Sequence, residues 1–491
     1  MNDHDRDVRA GDLDTNAIGM TVMGEDPMPL PEPRSEERLP PGVWLKKNLF
    51  NTPMNSVLTV VVALVAAFLT WKIIAWLVSI DFTIIRDTLR IFMIGQFPND
   101  ELWRLWASGF AIMAAFGLAA GSVARNARDL ALAQGIEPVP SSSLRLARRF
   151  WPIIAVLIFF AGFARTIVPM VGVVAAILSL FAVREAAWRL PAGIRSRALY
   201  VSALFVILSM LVVAGTSTLG GLAVGLVLFV WAMAEMGRRD TPTSVVGKAA
   251  RWLIPLAAAS VAVVLIRSIG FEGFGWKEWG GFHVNLFTAV VGITLGMPFG
   301  ILLAIGRRSQ LPVIKMTSVL YIEFIRGVPL ISLLLFSGLL LPFFLPLDFD
   351  RPTDLTLAIV VIMGFSAAYI AEIVRGGLQA VPNGQTEAAQ ALGMSPGTLQ
   401  RLIVLPQALR AVIPAMVGQF IALFKDTSLL VVVGILEFLS AAGIANNQPQ
   451  FLGRGLAPVT YLFVALGFWA FSYTMSKESR RLEERLGVGT R

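Results

Sequence analysis

Long runs of apolar residues alternate along the chain with short polar segments rich in arginine. The runs fall at about 55–80, 102–123, 150–166, 167–184, 198–214, 218–236, 252–269, 282–305, 313–341, 355–376, 408–434 and 456–476. Runs of about 18 residues or more can cross the roughly 30 Å hydrocarbon core of a bilayer as helices. Their apolar character is continuous, whereas the strands of a membrane barrel alternate apolar and polar positions. It also surrounds each predicted helix instead of forming the single stripe of a soluble helical domain. The pattern therefore predicts an all-α polytopic membrane protein with about twelve transmembrane helices. The stretch "FWPIIAVLIFFAGFARTIVPMVGVVAAILSLFAV" is read as two helices turning back near Arg165 to Pro169, against the alternative of one long tilted helix.

The polar segments give an orientation. With the N-terminus inside, the cytoplasmic connections hold Arg125, Arg128, Arg145, Arg148 and Arg149, then Arg184, Arg189, Arg195 and Arg197, then Arg238, Arg239, Lys248 and Arg251, then Arg307, Arg308 and Lys315, and finally the tail "KESRRLEERLGVGTR". The opposite loops, "SIDFTIIRDTLRIFMIGQFPNDE", "GFEGFGWKEWGG" and "LPLDFDRPTD", are neutral to acidic. Lys and Arg bias in short loops sets membrane orientation, so both termini are expected in the cytoplasm. Fusing the third and fourth runs into one helix would invert everything after them and turn the basic loops outward.

The net charge of +9 is thus accounted for by cytoplasmic loops, without nucleic acid as a partner. The chain has no cysteine and only two histidines, His4 and His283, which excludes disulfides, thiolate chemistry and a zinc site. Residues 1–44 are read as a disordered cytoplasmic tail, being acidic and proline-rich up to about residue 41, with no signal-peptide pattern. The expected organisation is then an N-terminal set of membrane helices over 45–270, a membrane core over 271–480 and a cytoplasmic tail over 481–491.

Within that core, residues 377–407 form a cytoplasmic excursion between two spans. It contains "EAAQALGMSPGTLQRLIVLP", residues 387–406. Two short helices are predicted. Asn383 would cap the first and Gly393 would end it with a left-handed turn. Ser395 would cap the second, with Pro396 in its first turn, and that helix would stop before Pro406. Ala388, Ala389 and Ala391 leave the first helix slender enough to lie in a groove of another protein. An ordinary interfacial helix on lipid is the competing reading, and the absence of a basic face weighs against it.

Glu387-Ala388-Ala389, Gly393 and Ile403-x-Leu405-Pro406 match the EAA signature of permease subunits of bacterial ATP-binding-cassette importers. The flanking "YIEFIRGVPL", "SAAYIAEIVRGGLQAVP" and "FKDTSLL" resemble the polar amino-acid subfamily, and the order of segments is similar to the M-type permease of general L-amino-acid importers. The likeness covers roughly 280–478. It implies a C-terminal five-helix type I permease core whose excursion, through Glu387, Ala388, Ala389, Gly393, Ile403, Leu405 and Pro406, couples to an ATPase. It further implies a second homologous permease subunit, an ABC ATPase dimer, a periplasmic amino-acid-binding protein and an L-amino acid as solute, in the bacterial inner membrane. The helices at about 150–250 are extra to the family pattern. They carry no catalytic or ligand constellation and leave open bracing, a partner or membrane lipid; Arg165 and Arg267, near outer ends, are read as snorkelling.

No G-x-x-x-x-G-K-[ST] loop is present, so no cofactor is expected in this chain, and ATP with Mg would sit on the partner ATPase. Ionisable residues inside spans are functional candidates by default. Glu323 and Arg326 lie on one helical face, about 20 Å of rise beyond the start of their span. Glu372 and Arg375 lie near the inner end of the tenth span. Lys425, Asp426, Thr427 and Ser428 lie deep in the eleventh. A zwitterionic amino acid needs an acceptor for its ammonium and a donor for its carboxylate, and Asp426 and Lys425 with Ser428 in support offer both. A structural ion pair is the competing reading for Glu323 and Arg326. An ion-gradient-driven secondary amino-acid transporter is the alternative function, but it gives the excursion nothing to do. A membrane enzyme would need a nucleophile–base or metal constellation, which the sequence does not display.

Overall fold

The computed structural model describes residues 40–138, 140–199, 201–203, 205–206, 209, 279–344 and 353–486. The expected spans at 218–236 and 252–269, most of that at 198–214, Arg267, and the loop holding Asp350 lie outside these residues. The described residues are almost wholly helical, with isolated bridges at Gly95–Trp279 and Gly281–Glu437 as their extended pairings. Among the described residues, seven helices are long and apolar enough to cross a membrane, or eight when a bent pair is counted as one.

The chain divides into two units, 1–80 and 81–491. The first contains α1 (Pro41–Asn48) and α2 (Pro53–Val78). Helix α1 begins inside the stretch expected to be irregular. Thr52 caps α2 by accepting the Asn55 N–H at 3.1 Å, and Pro53 occupies its first position.

In the second unit, α3 (Thr83–Ile94) occupies a segment read from sequence as an outer loop. Its buried residues are Ile84, Ile85, Thr88, Leu89 and Phe92, the i, i+1, i+4, i+5, i+8 stripe of a one-sided helix. Helices α4 (Leu102–Ala133), α5 (Ser143–Arg149), α6 (Trp151–Gly162), α7 (Val168–Arg189) and α8 (Ala192–Arg195) follow. Helices α4 and α7 run parallel in close contact. Trp106 meets Gly172 at one end, Gly117 meets Leu180 and Arg184 midway, and Gly121 meets Arg184 and Ala187 further on. A Cβ on Gly117 would lie 2.4 Å from the Leu180 carbonyl oxygen, and one on Gly121 would lie 2.3 Å from that of Arg184. This is the small-xxx-small packing by which membrane helices bring their backbones together. Parallel neighbours require the chain to return between them, and the returning segment holds α5 and the 12-residue apolar helix α6. The third and fourth apolar runs are separate helices, α6 and α7, broken over 163–167.

The core begins with α9 (Gly281–Arg307), whose Gly292, Gly296 and Gly300 press against Ile362, Ser366 and Ile370 of α12 (Asp354–Ala380). Between these two helices the expected single span at 313–341 is a bent pair. Helix α10 (Pro312–Gly327) and α11 (Leu330–Leu335, continuing to Phe344) meet at 104°. The break is at Val328-Pro329: a residue before proline is driven out of the helical region, and Val328 is extended. Distance along α10 is consequently not depth in the membrane. The chain closes with α13 (Asn383–Ala391), α14 (Pro396–Leu399), α15 (Leu405–Asp426), α16 (Phe438–Asn446) and α17 (Ala457–Leu486), the last running into the stretch expected as a tail.

Phe438 is the hub of the end of the unit that carries α3 and α16. Its ring lies 4.7 Å from that of Phe282 on α9, 5.9 Å from Phe160 on α6, 6.0 Å from Phe463 on α17 and 6.1 Å from Phe92 on α3. Aromatic pairs at such separations bind beyond their area burial. Helices preceding the core and helices of the core thus share one aromatic cluster.

Candidate functional site

Helix α13 ends as a Schellman turn. The Met394 N–H bonds the Ala389 carbonyl at 3.1 Å and the Gly393 N–H bonds that of Gln390 at 2.9 Å. Gly393 has φ +71, the left-handed conformation expected of it. Asn383 is not the cap: Pro382 holds that position, Asn383 is the first helical residue, and no side chain caps this end. Ser395 caps α14 as predicted, accepting the Thr398 N–H at 3.4 Å with Pro396 next to it.

The second helix of the excursion does not stop before Pro406. It passes through a π-turn at Gln400–Val404 directly into α15. A proline in a continuous α-helix lacks its i→i−4 hydrogen bond and crowds the preceding turn. One widened π-turn immediately before it relieves both. The second helix of the excursion and the membrane helix after it are therefore continuous.

Side-chain exposure divides the signature residues into two sets. Glu387, Ala388, Gly393 and Pro406 are exposed, Leu392 beside them is 81% exposed, and Ile403 and Leu405 are half-buried. Ala389 is buried and joins Leu399 and Val404 in a cluster with Val374 and Leu378 of α12 and Ala408 of α15. One face of the excursion is offered outward while the other is fixed to two membrane helices.

Glu323 and Arg326 do not pair with each other. Glu323 takes Arg307 Nη1 at 2.8 Å, and Arg326 Nη1 lies 3.5 Å from Glu372 Oε2, with its guanidinium 5.8 Å from the Tyr369 ring. Glu372 also accepts from Arg375 Nε at 2.9 Å and lies 3.5 Å from Arg307. Arg308 reaches the Leu378 carbonyl at 3.1 Å. Because Arg307 is the last residue of α9, this network ties together α9, α10 and α12 near the end of the bundle that carries the excursion. The bend after α10 keeps Glu323 and Arg326 at that level.

In the run at 425–428, Lys425 is exposed and Asp426 and Ser428 are half-buried, whereas Thr427 is fully buried and turns inward. Thr427 Oγ1 accepts from Asn285 Nδ2 at 3.0 Å. The same amide reaches Glu437 Oε2 at 3.3 Å, and Asn285 Oδ1 accepts the Phe438 N–H at 2.9 Å. Glu437 caps α16 by accepting the Leu439 and Ser440 N–H groups at 2.7 and 2.6 Å. Sequence reasoning passed over Asn285 and Glu437. The signal was available, since Glu437 is an acidic residue in an otherwise apolar run. Among the described residues, no hydrogen bond or ion pair joins the 425–428 run to the Glu323 and Arg326 network.

Residues 296–485 match the family described as the inner membrane component of binding-protein-dependent transport systems. The glutamate/glutamine/aspartate/asparagine transport system permease protein BztC of Rhodobacter capsulatus is 32% identical over 478 residues, 90% of this chain and 93% of that relative. The inner membrane amino-acid ABC transporter permease protein YhdY of Escherichia coli is 45% identical over 213 residues, which span 43% of this chain and 57% of that relative's length. A crystal structure of an amino acid ABC transporter with histidines aligns at 30% identity over 42% of this chain and 92% of that one, with a TM-score of 0.37.

Proposed function

The chain belongs to the family of amino-acid ABC transporter permeases, inner-membrane components of binding-protein-dependent importers, and from that premise we propose that it carries polar L-amino acids inward by alternating access. The observation that carries this reading is the two-sided excursion. Its exposed face, Glu387, Ala388 and Leu392, suits the cleft of an ATPase subunit, and its buried face, Ala389, Leu399 and Val404, is fastened to α12 and α15. Since α14 continues without a break into α15, a displacement applied at the excursion is delivered to the membrane helix as a rigid-body motion. A secondary transporter would have no use for such a lever.

The working assembly pairs this chain with a second homologous permease, an ABC ATPase dimer holding ATP and Mg, and a periplasmic binding protein that selects the amino acid. Both termini and the excursion face the cytoplasm, a reading supported by the Lys and Arg bias of the loops. Lys425, Asp426 and Ser428 line the solute path, with Asp426 accepting the ammonium group and Lys425 donating to the carboxylate. The network of Arg307, Glu323, Arg326, Glu372 and Arg375 holds α9, α10 and α12 in register at the end nearest the ATPase.

Reconstitution in proteoliposomes with the ATPase, the second permease and a binding protein tests this directly. Uptake of a polar amino acid is expected to require both ATP and binding protein. Uptake driven by an ion gradient without ATP would refute it.

A further inference from the structure

The permease reading leaves α4 to α8 without a task, yet this insert is fastened to the core at two levels. Helix α6 runs antiparallel to α17. The Phe160 ring on α6 lies 4.1 Å from that of Phe463 near the start of α17, and Arg149, just ahead of α6, meets Glu478 near the other end. Phe463 and Glu478 are about 22 Å of helix rise apart.

The contact at Glu478 is a two-bond fork. Arg149 Nε donates to Glu478 Oε1 at 3.1 Å, and its Nη2 donates to Oε2. The Glu478 side chain is 15% exposed and that of Arg149 31%. Ion pairs standing fully in water contribute little, whereas a bidentate guanidinium on a largely buried carboxylate fixes geometry as well as charge. Arg481, one turn further along α17, also holds Oε1, at 2.5 Å. Glu478 therefore keeps a cation when Arg149 is removed.

Helix α17 also touches the helix that receives the excursion. Phe424 of α15 lies 5.2 Å from Phe468 and 5.4 Å from Phe471, and Ser479 Oγ donates to the Pro414 carbonyl at 3.4 Å. Pro414 is in the half of α15 nearest the excursion. Glu478 and Ser479 are consecutive, so the residue tied to the insert stands beside the one that meets α15. A displacement entering α15 would drag this end of α17 along unless another element held it.

We infer that Arg149, acting through Glu478, is a positioning residue for coupled transport: it fastens the end of α17 nearest the excursion to the insert, so that α17 stays in place while α15 moves. This role rests on the permease reading. It gives the insert the task of a fixed post, with Phe160 holding one end of α17 and Arg149 the other.

Two variants and two readouts test it. In the full chain in detergent, Arg149→Gln should raise amide hydrogen exchange over residues 474–486 roughly tenfold. Its melting temperature should stay close to the parent's, because Arg481 still pairs with Glu478. In proteoliposomes with the ATPase, the second permease and a binding protein, Arg149→Gln should lower solute moved per ATP hydrolysed roughly threefold. The charge exchange Arg149→Glu/Glu478→Arg should bring both readouts back toward the parent. Unchanged hydrogen exchange in Arg149→Gln would overturn the fastening. Faster exchange with an unchanged solute-to-ATP ratio would make the fork a structural pair only and reject the positioning role. A ratio that the charge exchange failed to restore would mean that Arg149 does not act through Glu478, which also rejects it. Uptake by the parent that ignored ATP would refute the permease reading itself, and this role with it, before any variant is compared.

Discussion

Asn285 on α9 holds Glu437 in place: its amide nitrogen bonds the Glu437 carboxylate at 3.3 Å while its amide oxygen takes the N–H of the next residue, Phe438. The side chains of both are fully buried. Asn285 therefore satisfies the acid that caps α16 and positions the phenylalanine around which the aromatic cluster is built. Replacing Asn285 with Leu would strand the Phe438 N–H and remove a donor from both Glu437 and Thr427. Each buried polar group left unmatched costs about 1–3 kcal/mol. The expected result is a clear fall in melting temperature in detergent. Glu437→Gln, which retains an oxygen to cap α16, should cost less.

Gly393 offers a cleaner perturbation of coupling. A Cβ built there meets nothing within 4 Å, so any penalty comes from the backbone at φ +71. Left-handed backbone costs ordinary residues about 1–2 kcal/mol, more for branched ones and less for Asn. Uptake driven by ATP should fall in the order Gly, Asn, Ala, Val at position 393, with membrane insertion unchanged. Measuring transported solute per ATP hydrolysed checks it, and equal ratios across the series would remove the excursion from the coupling path.

Orientation can be read by labelling single cysteines in a chain that has none of its own. A cysteine at Gly393 should react only after the cytoplasmic side is opened, and one at Leu452, which is 64% exposed between α16 and α17, should react in intact cells. Gly280 is unsuited to this, because a Cβ there would lie 2.1 Å from the Leu436 carbonyl oxygen. Labelling of Gly393→Cys from outside would reverse the assignment.

Neighbouring positions 426 and 427 should separate transport from folding. Asp426→Asn is expected to reduce uptake severely while leaving assembly and melting temperature near those of the parent. Thr427→Val should lower stability by about 1 kcal/mol, since it deprives Asn285 of an acceptor. Uptake assays paired with thermal unfolding distinguish the two outcomes.

Much of this was readable in advance where the cause is local. The cap at Ser395, the left-handed Gly393 and the break at 163–167 follow from residue chemistry or from loop charge. Errors arose where a local rule met a wider constraint. Pro406 reads locally as a stop, but a preceding π-turn lets the helix pass. Val328-Pro329 lies inside an apolar run that masks the bend, although the rule for residues preceding proline predicts it. Helix α3 was hidden in a loop assignment because its stripe of five buried residues is too short to span a membrane. Partners distant in sequence, such as Arg307 for Glu323 and Asn285 for Glu437, are set by packing that no single segment encodes.

The parallel contact of α4 with α7 imposes a rule of parity on this chain. Neighbours pointing the same way require the chain to return between them, and the returning segment here holds α5 and the apolar α6. Removing 143–189 as a block would leave the downstream core facing as it does now, with the aromatic cluster short of Phe160. Removing 168–189 by itself would turn every later loop to the opposite side and, on the proposed orientation, carry the excursion away from the ATPase. Lengthening or shortening the N-terminal half is thus permitted only in steps of two.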